Sequence, residues 1–352
     1  MKLVIFGLTI TSSWGNGHAT LWRGLCNALA RQGHKVTFFE RDVPYYAGHR
    51  DLQQPQPYHV QLYPSWQDVL PEAEKAVVGC DAAMVTSYCP DAQEACDLIA
   101  SSNALKVFYD LDTAVTLATL REQGSVSYIP RDGLRMFDLV LSYVGGRALE
   151  DLKSMLGAQR TAPLYGSVDQ EEYRPVPRSS DYESDLSYLG TYASDRQAIL
   201  CELLLQTAQS MPGRRFLVGG AQYPDDFPWR ENVWFVRHVP PRKHPAFYCS
   251  SRATLNVTRG AMAEVGYCPS GRLFEAAACG TPIVSDSWEG LDQFFDPGRE
   301  LLIAHSSADV IEALSRSSNE LEEIGHAGRK RALSEHTAEH RSRELVQLLE
   351  AA

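Results

Sequence analysis

Four short segments of this 352-residue chain combine glycine with acidic, cationic or imidazole side chains in spacings that suit a polar, anionic ligand. In Thr11–His18 (TSSWGNGH), Gly15 and Gly17 permit positive φ and close backbone approach, and His18 stands where a helix would begin. The free N–H groups of such a helix start hold an anion or a sugar hydroxyl, and the plain alternative is an ordinary turn capped by His18. Tyr109–Thr113 (YDLDT) carries Asp110 and Asp112, which point the same way if a strand period of two persists. Such a pair accepts hydrogen bonds from sugar hydroxyls, polarises an acceptor hydroxyl or holds a divalent cation, unless one of the two is a helix N-cap. Leu189–Arg196 (LGTYASDR) offers Gly190 for close approach, Tyr192 beside it, and Arg196 in a helical first turn, where a guanidinium grips a diphosphate. The alternative there is a capping Asp195 and a solvated Arg196. In the fourth, Arg259 of NVTR precedes PSGRLFEAAACGTPIVS, in which Ser270, Gly271 and Leu273 form a helix start and Arg272 adds charge. Glu275, one turn on, can accept both hydroxyls of a ribose while phosphates rest on the helix start; the alternative is a helix–Gly–Pro–strand joint with an exposed Glu. His238 lies in RHVPP, which forms a lip beside a base or a loop ended by proline.

Other chemistry is absent from the pattern. There is no G-x-S-x-G elbow, no G-x-x-x-x-G-K-[ST] loop and no H-E-x-x-H, and the third glycine of a dinucleotide fingerprint would fall on Thr20. No metal site is expected. His336 and His340 have i, i+4 spacing, which without a third ligand reads as the solvated face of a helix.

The elements that must position these segments alternate. Lys2–Leu8 reads as a buried strand, Ala19–Gln32 as a helix on the spacing of Leu21, Leu25, Ala28 and Leu29, and Lys35–Glu40 as a strand. Ala82–Thr86, Lys106–Tyr109 and Leu139–Ser142 read as strands, with helices at Ala92–Ala100 and Arg147–Leu156. A Pro-rich stretch, 162–177, reads as a hinge. A second series follows, with strands at 186–189, 215–218, 233–236, 253–257 and 282–285 and helices at 196–209, 273–279, 310–314 and 321–333. Two such series imply an α/β protein of two facing, doubly wound Rossmann-like domains with a cleft between them. The expected division is 1–170 and 171–352, with a final helix at about 339–352 able to pack back on the first domain.

Composition narrows the class. With 33 Lys and Arg against 44 Asp and Glu, the net charge of −11 works against coating a nucleic acid. No run approaches the ~20 apolar residues of a membrane span. The apolar N-terminus lacks a signal-cleavage pattern and is expected to be a strand. Eight scattered cysteines without a CxxC pair suggest reduced thiols and a cytoplasmic protein.

The run LFEAAACGTPIVSDSWEGLDQFFDPGRELLI resembles the donor-site signature of GT-B-fold glycosyltransferases, the family-4-like group, nearest its CgeB-like spore-maturation members. GNGHAT, FYDLDT, GSVDQEEYRP, LSYLGTYASDR and LNVTR are similar to landmarks of the same group. The resemblance implies transfer of a sugar from a nucleotide diphosphate donor to a hydroxyl acceptor, with no metal or other cofactor required. UDP-sugar is the first expectation for the donor, GDP- or dTDP-sugar the alternatives. It matches Glu275 to the ribose-binding glutamate and Gly271, Arg272 and Leu273 to the helix start that holds the diphosphate. Retention of configuration is expected, although Tyr267 stands where an E-x7-E pattern has its first glutamate; inversion would need a base, Asp112 or His18. An epimerase on the same fold and a silent nucleotide-sugar-binding protein are the rival readings.

Overall fold

The computed structural model describes residues Met1–Ala352. They form two units, one made of Met1–Tyr165 with Ala338–Ala352 and the other of Gly166–Thr337. No helix is long and apolar enough to cross a membrane, and all eight cysteines are free thiols.

The first unit is built on seven parallel strands: β1 (Lys2–Gly7), β2 (Lys35–Arg41), β3 (His59–Tyr63), β4 (Ala82–Thr86), β5 (Leu105–Asp110), β6 (Leu139–Ser142) and β7 (Thr161–Pro163). They are ordered β3-β2-β1-β4-β5-β6-β7, so the winding reverses between β1 and β4. The central strands are apolar at nearly every position because helices cover both faces of the sheet, and β4 is buried throughout. Helix His18–Arg31 buries Trp22, Leu25 and Leu29 against β1 and β2. Helix Ala338–Glu350 adds Leu345 and Leu349 to the same core.

The second unit has six parallel strands: β8 (Ser184–Leu189), β9 (Phe216–Gly220), β10 (Val233–Arg237), β11 (Ser251–Asn256), β12 (Ile283–Ser285) and β13 (Leu302–Ile303). The order β10-β9-β8-β11-β12-β13 repeats the same plan, with reversal between β8 and β11. The helix at 194–210 widens into a π-helical stretch over Cys201–Gln206 yet keeps Leu203, Leu204 and Leu205 in the core.

Several elements escape the periodicity analysis, among them β3, β13, helix Trp66–Val78 and the short helices Pro44–Ala47 and Gly260–Val265. One expectation is overturned. His336 is not on a solvated helix face with His340, because helix Ser318–Glu335 ends before it and a new helix begins at Ala338. His336 is only 6% exposed and packs against Phe274, Phe294 and Phe295.

Candidate functional site

In parallel sheets of this winding, ligands bind beyond the carboxyl ends of the strands, where the order reverses. The structure marks those edges with strained backbone. Its four non-glycine residues of positive φ are Tyr88 (63°) after β4, Gln222 (65°) after β9, His238 (59°) after β10 and Tyr267 (49°) just before helix Gly271–Ala278. Each costs on the order of 1–3 kcal/mol and persists only where the surroundings over-determine it.

In the second unit, Gly190, Arg196 and Arg272 converge on Tyr188 at the end of β8. Arg196 Nη1 donates to the Tyr188 hydroxyl at 3.1 Å, and its Nε is buried without a partner. The Arg272 guanidinium lies over the Tyr188 ring, 5.0 Å from its centre. It also donates through Nε to the Leu189 carbonyl and through Nη1 to Asn256 Oδ1 at 2.8 Å. Arg272 thereby ties the ends of β8 and β11 together. A side chain at Gly190 would meet both the Tyr188 hydroxyl and Arg272 Nη2, at 2.7 and 2.9 Å. Gly190 N donates to the Gly219 carbonyl at 2.8 Å, and His238 N to the Gly220 carbonyl at 2.7 Å. His238 thus stands beside this seat. Tyr192 packs in a cluster with Tyr223 and Phe227 and donates its hydroxyl to Gln197, and Tyr223 in turn donates to the Gly190 carbonyl at 3.2 Å.

Arg259 pairs with Asp195, Nε to Oδ2 at 3.2 Å. Asp195 is accordingly an ion-pair partner; the helix it belongs to is capped at Ala193. The turn leading to Arg259 is held by Asp286, which accepts from Thr258 N at 2.9 Å and Thr258 Oγ1 at 3.0 Å. Burial shifts the Asp286 carboxyl above its ordinary range. Helix Gly271–Ala278 starts from Ser270 without a side-chain cap, leaving first-turn N–H groups for a ligand. Leu273 is fully buried and contributes packing. Glu275 is 14% exposed; its Oε2 accepts from Tyr248 at 3.2 Å and lies 3.8 Å from His244 Nδ1.

In the first unit, His18 opens helix His18–Arg31 directly after the N-cap Gly17, and Gly15 (φ 69°) lies in the preceding turn. The Nε2 of His18 is 3.3 Å from Asp112 Oδ2, with side chains 17% and 19% exposed. Asp110 and Asp112 do not continue one strand, because β5 ends at Asp110 and Asp112 is the N-cap position of helix Thr113–Gln123. Asp112 makes no side-chain capping bond and faces His18 instead. Asp110 is fully buried: Oδ1 accepts from Asp112 N at 3.1 Å and Thr116 Oγ1 at 3.0 Å, while Oδ2 is without a partner. Burial raises its carboxyl to about 7, well above the ordinary aspartate value.

Several groups in these sites are invisible to motif reading. Tyr88 lies 5.9 Å from His18, ring to ring, and 4.9 Å from Tyr128; only its place after a central strand, at the reversal, could have singled it out. Glu40, 1% exposed, accepts from Ile10 N, Thr11 N and the hydroxyls of Thr9 and Thr11, and so shapes the loop before Gly15. Tyr248 and His244 flank Glu275 from helix His244–Cys249; the run from Pro245 to Cys249 reads as a short helix in the sequence, but no motif there points to Glu275.

Residues 196–347 match the model of a family described as glycosyl transferase-like. No curated protein matches the chain. Among solved structures, the sucrose-phosphate synthase of Thermosynechococcus elongatus is similar, with 16% identity and a TM-score of 0.71 over 100% of this chain and 99% of that one. HepE of Anabaena, solved with UDP-glucose, aligns at 14% identity and a TM-score of 0.68 over 100% of both chains. A DNA-modifying β-glucosyltransferase, solved with and without its substrate uridine diphosphoglucose, aligns at 13% identity and a TM-score of 0.64 over 99% of this chain and 100% of that one. These likenesses are of fold, and they identify the pair of Rossmann-like domains as the GT-B architecture of glycosyltransferases.

Proposed function

We propose that the chain is a glycosyltransferase that takes a sugar from a UDP-sugar and delivers it to a hydroxyl acceptor. The observation that carries the reading is the cationic seat at the carboxyl ends of β8 and β11. There Arg196 and Arg272 flank one tyrosine, Arg259 follows β11, and an uncapped helix start adds its N–H groups. Charge on the departing diphosphate grows in the transition state, and fixed positive groups stabilise it there. Arginines in this number do what a divalent cation does elsewhere, so the reaction is proposed to need no metal. Glu275, held by Tyr248, would accept the ribose hydroxyls. Glycosyl transfer is supported by the glycosyl transferase-like match of 196–347, and the choice of UDP by the UDP and UDP-glucose complexes of similarly folded proteins. The run from Ser270 to Leu302 supports a place near the CgeB-like group.

We assign the acceptor to the first unit and the donor to the second. In the retaining reaction, the acceptor oxygen bonds to the anomeric carbon on the face from which UDP departs. The sugar–phosphate bond breaks, its electron pair leaves with UDP, and the acceptor proton passes to a phosphate oxygen. The contact between His18 and Asp112 favours a second, inverting course, in which that pair receives the proton while the acceptor attacks the opposite face.

Calorimetry with UDP tests the donor assignment. Removing the carboxylate in Glu275→Ala should weaken binding about 10- to 100-fold, the worth of hydrogen bonds to a charged acceptor. Unchanged affinity would remove Glu275 from the site. A thermal-shift panel of UDP, GDP, dTDP and their sugars selects the base and sugar, because a ligand that binds only the folded state raises the Tm. NMR of the product's anomeric proton then separates retention from inversion.

A further inference from the structure

The second unit has a cavity of about 1150 Å³ at the opposite end of its sheet. Its walls include Ser184 and Ser251, the first residues of β8 and β11, and Pro282, just before β12. The six residues of β8, at ~3.3 Å each, set this cavity roughly 20 Å from the edge that carries Arg196 and Arg272.

Five cations line it: Arg178, Arg215, Arg252, Arg329 and Lys330. None has a carboxylate within 4.0 Å. Their sequence neighbours do: Arg214 pairs with Asp185 at 2.8 Å and Arg331 with Glu335 at 3.2 Å. Of the three acids in the walls, Glu183, Asp185 and Glu322, Asp185 is engaged by Arg214 and by Arg215 N. The Nε atoms of Arg215 and Arg252 are buried without partners. In a chain of net charge −11, five cations without a carboxylate at ion-pair distance thus gather around one concavity. Arg178, Arg252 and Arg329 donate only to neutral groups, the Ser250, Arg316 and Ala278 carbonyls and the Ser318 hydroxyl, and Arg215 lies over the Trp234 ring, so their charges are not neutralised and favour an anionic ligand.

We propose that this cavity is a binding site for a phosphorylated small molecule carrying at least two negative charges, separate from the proposed nucleotide-sugar seat. Arginine suits phosphate through its planar fork of donors and lysine as a point charge. The volume of about 1150 Å³ exceeds the ~300–1,000 Å³ usual for small-molecule pockets, which favours a phosphate carried on an organic body over a free one. Cys249 opens into the same cavity and serves as a reporter. Hydrogen bonding at Cys279 and from Val176 N shifts the Cys249 thiol below its ordinary range, which favours alkylation when it is accessible.

The experiment is calorimetric titration of the full chain with inorganic pyrophosphate and, separately, with a hexose bisphosphate. Each titration is repeated on Lys330→Glu, Arg252→Ala and Arg196→Ala. Lys330 is exposed, so its reversal leaves the fold intact. The expected result is binding of the bisphosphate that Lys330→Glu and Arg252→Ala each weaken about tenfold or more, and that Arg196→Ala leaves unchanged. Iodoacetamide labelling of Cys249, read by peptide mass spectrometry, should slow when the bisphosphate is bound. Equal or tighter binding of pyrophosphate in the same pattern keeps the anion site and reassigns its ligand to a free polyphosphate. Binding of neither probe, or binding lost in Arg196→Ala and retained in Lys330→Glu, overturns the proposal.

Discussion

Asp110 makes a measurable claim about unit 1. Its carboxyl is fully buried, one oxygen has no partner, and burial raises it from 3.8 to about 7. Because the folded-state value lies above the unfolded one, the native protein holds a proton that the unfolded chain releases, and stability falls as pH rises between them. Below pH ~4 both states are protonated and nothing is lost; above pH ~7 the loss is complete, at about 4 kcal/mol, 1.36 kcal/mol for each unit of displacement. Asp110→Asn removes the titration. Its carbonyl can still accept from Asp112 N and Thr116 Oγ1, while its NH2 group, buried where Oδ2 was unpartnered, costs about 1–3 kcal/mol at any pH. The variant's stability relative to wild type should therefore improve by about 3 kcal/mol between pH 5 and pH 8, whatever its offset. Urea unfolding followed by tryptophan fluorescence at a series of pH values measures this, since Trp22 and Trp66 are both buried in unit 1. A difference that stays constant within about 0.5 kcal/mol across that range would show that Asp110 is not held protonated, and its environment would need another description.

Glu40→Ala should destabilise by about 3–5 kcal/mol in a urea titration, because four donors in the loop after β1 lose a buried charged acceptor. Amide exchange at Ile10 and Thr11 should accelerate with it. Gly220→Ala places a methyl group against the Gly190 carbonyl. It should reduce UDP affinity at least tenfold in calorimetry by displacing the strand ends that hold the diphosphate.

Much of the fold can be read from sequence because central parallel strands are apolar on both faces. Leu139–Ser142 and helix Arg147–Leu156 were legible to the residue. The missed elements have separate causes. In β3 only Tyr63 is buried, so HVQLY at the sheet edge shows no hydrophobic contrast. Helix Trp66–Val78 contains Pro71, which reads as a stop, yet Trp66, Val69, Ala73 and Val77 keep a buried stripe. His336 was misread because spacing alone cannot show that the helix breaks at that residue and turns the ring into an aromatic pocket.

The site was legible as segments and not as contacts. The glycines, arginines and acids after strands stood out, but the 94 positions separating His18 from Asp112 hide their meeting, and no motif predicts that Arg272 ties β8 to β11. Nor does local sequence reveal that Glu40, from a neighbouring strand, sets the shape of a glycine loop 25 residues earlier.

The helix Ala338–Glu350 closes the core of a unit whose other residues all precede 166. During synthesis, the leading domain must therefore wait, with the surface around Trp22 and Leu25 still open, until everything through Leu349 has left the ribosome. The segment 166–337 is continuous and is free to fold during that interval. The order of maturation should thus run opposite to the order of translation, with the later-made domain finished before the earlier one is sealed.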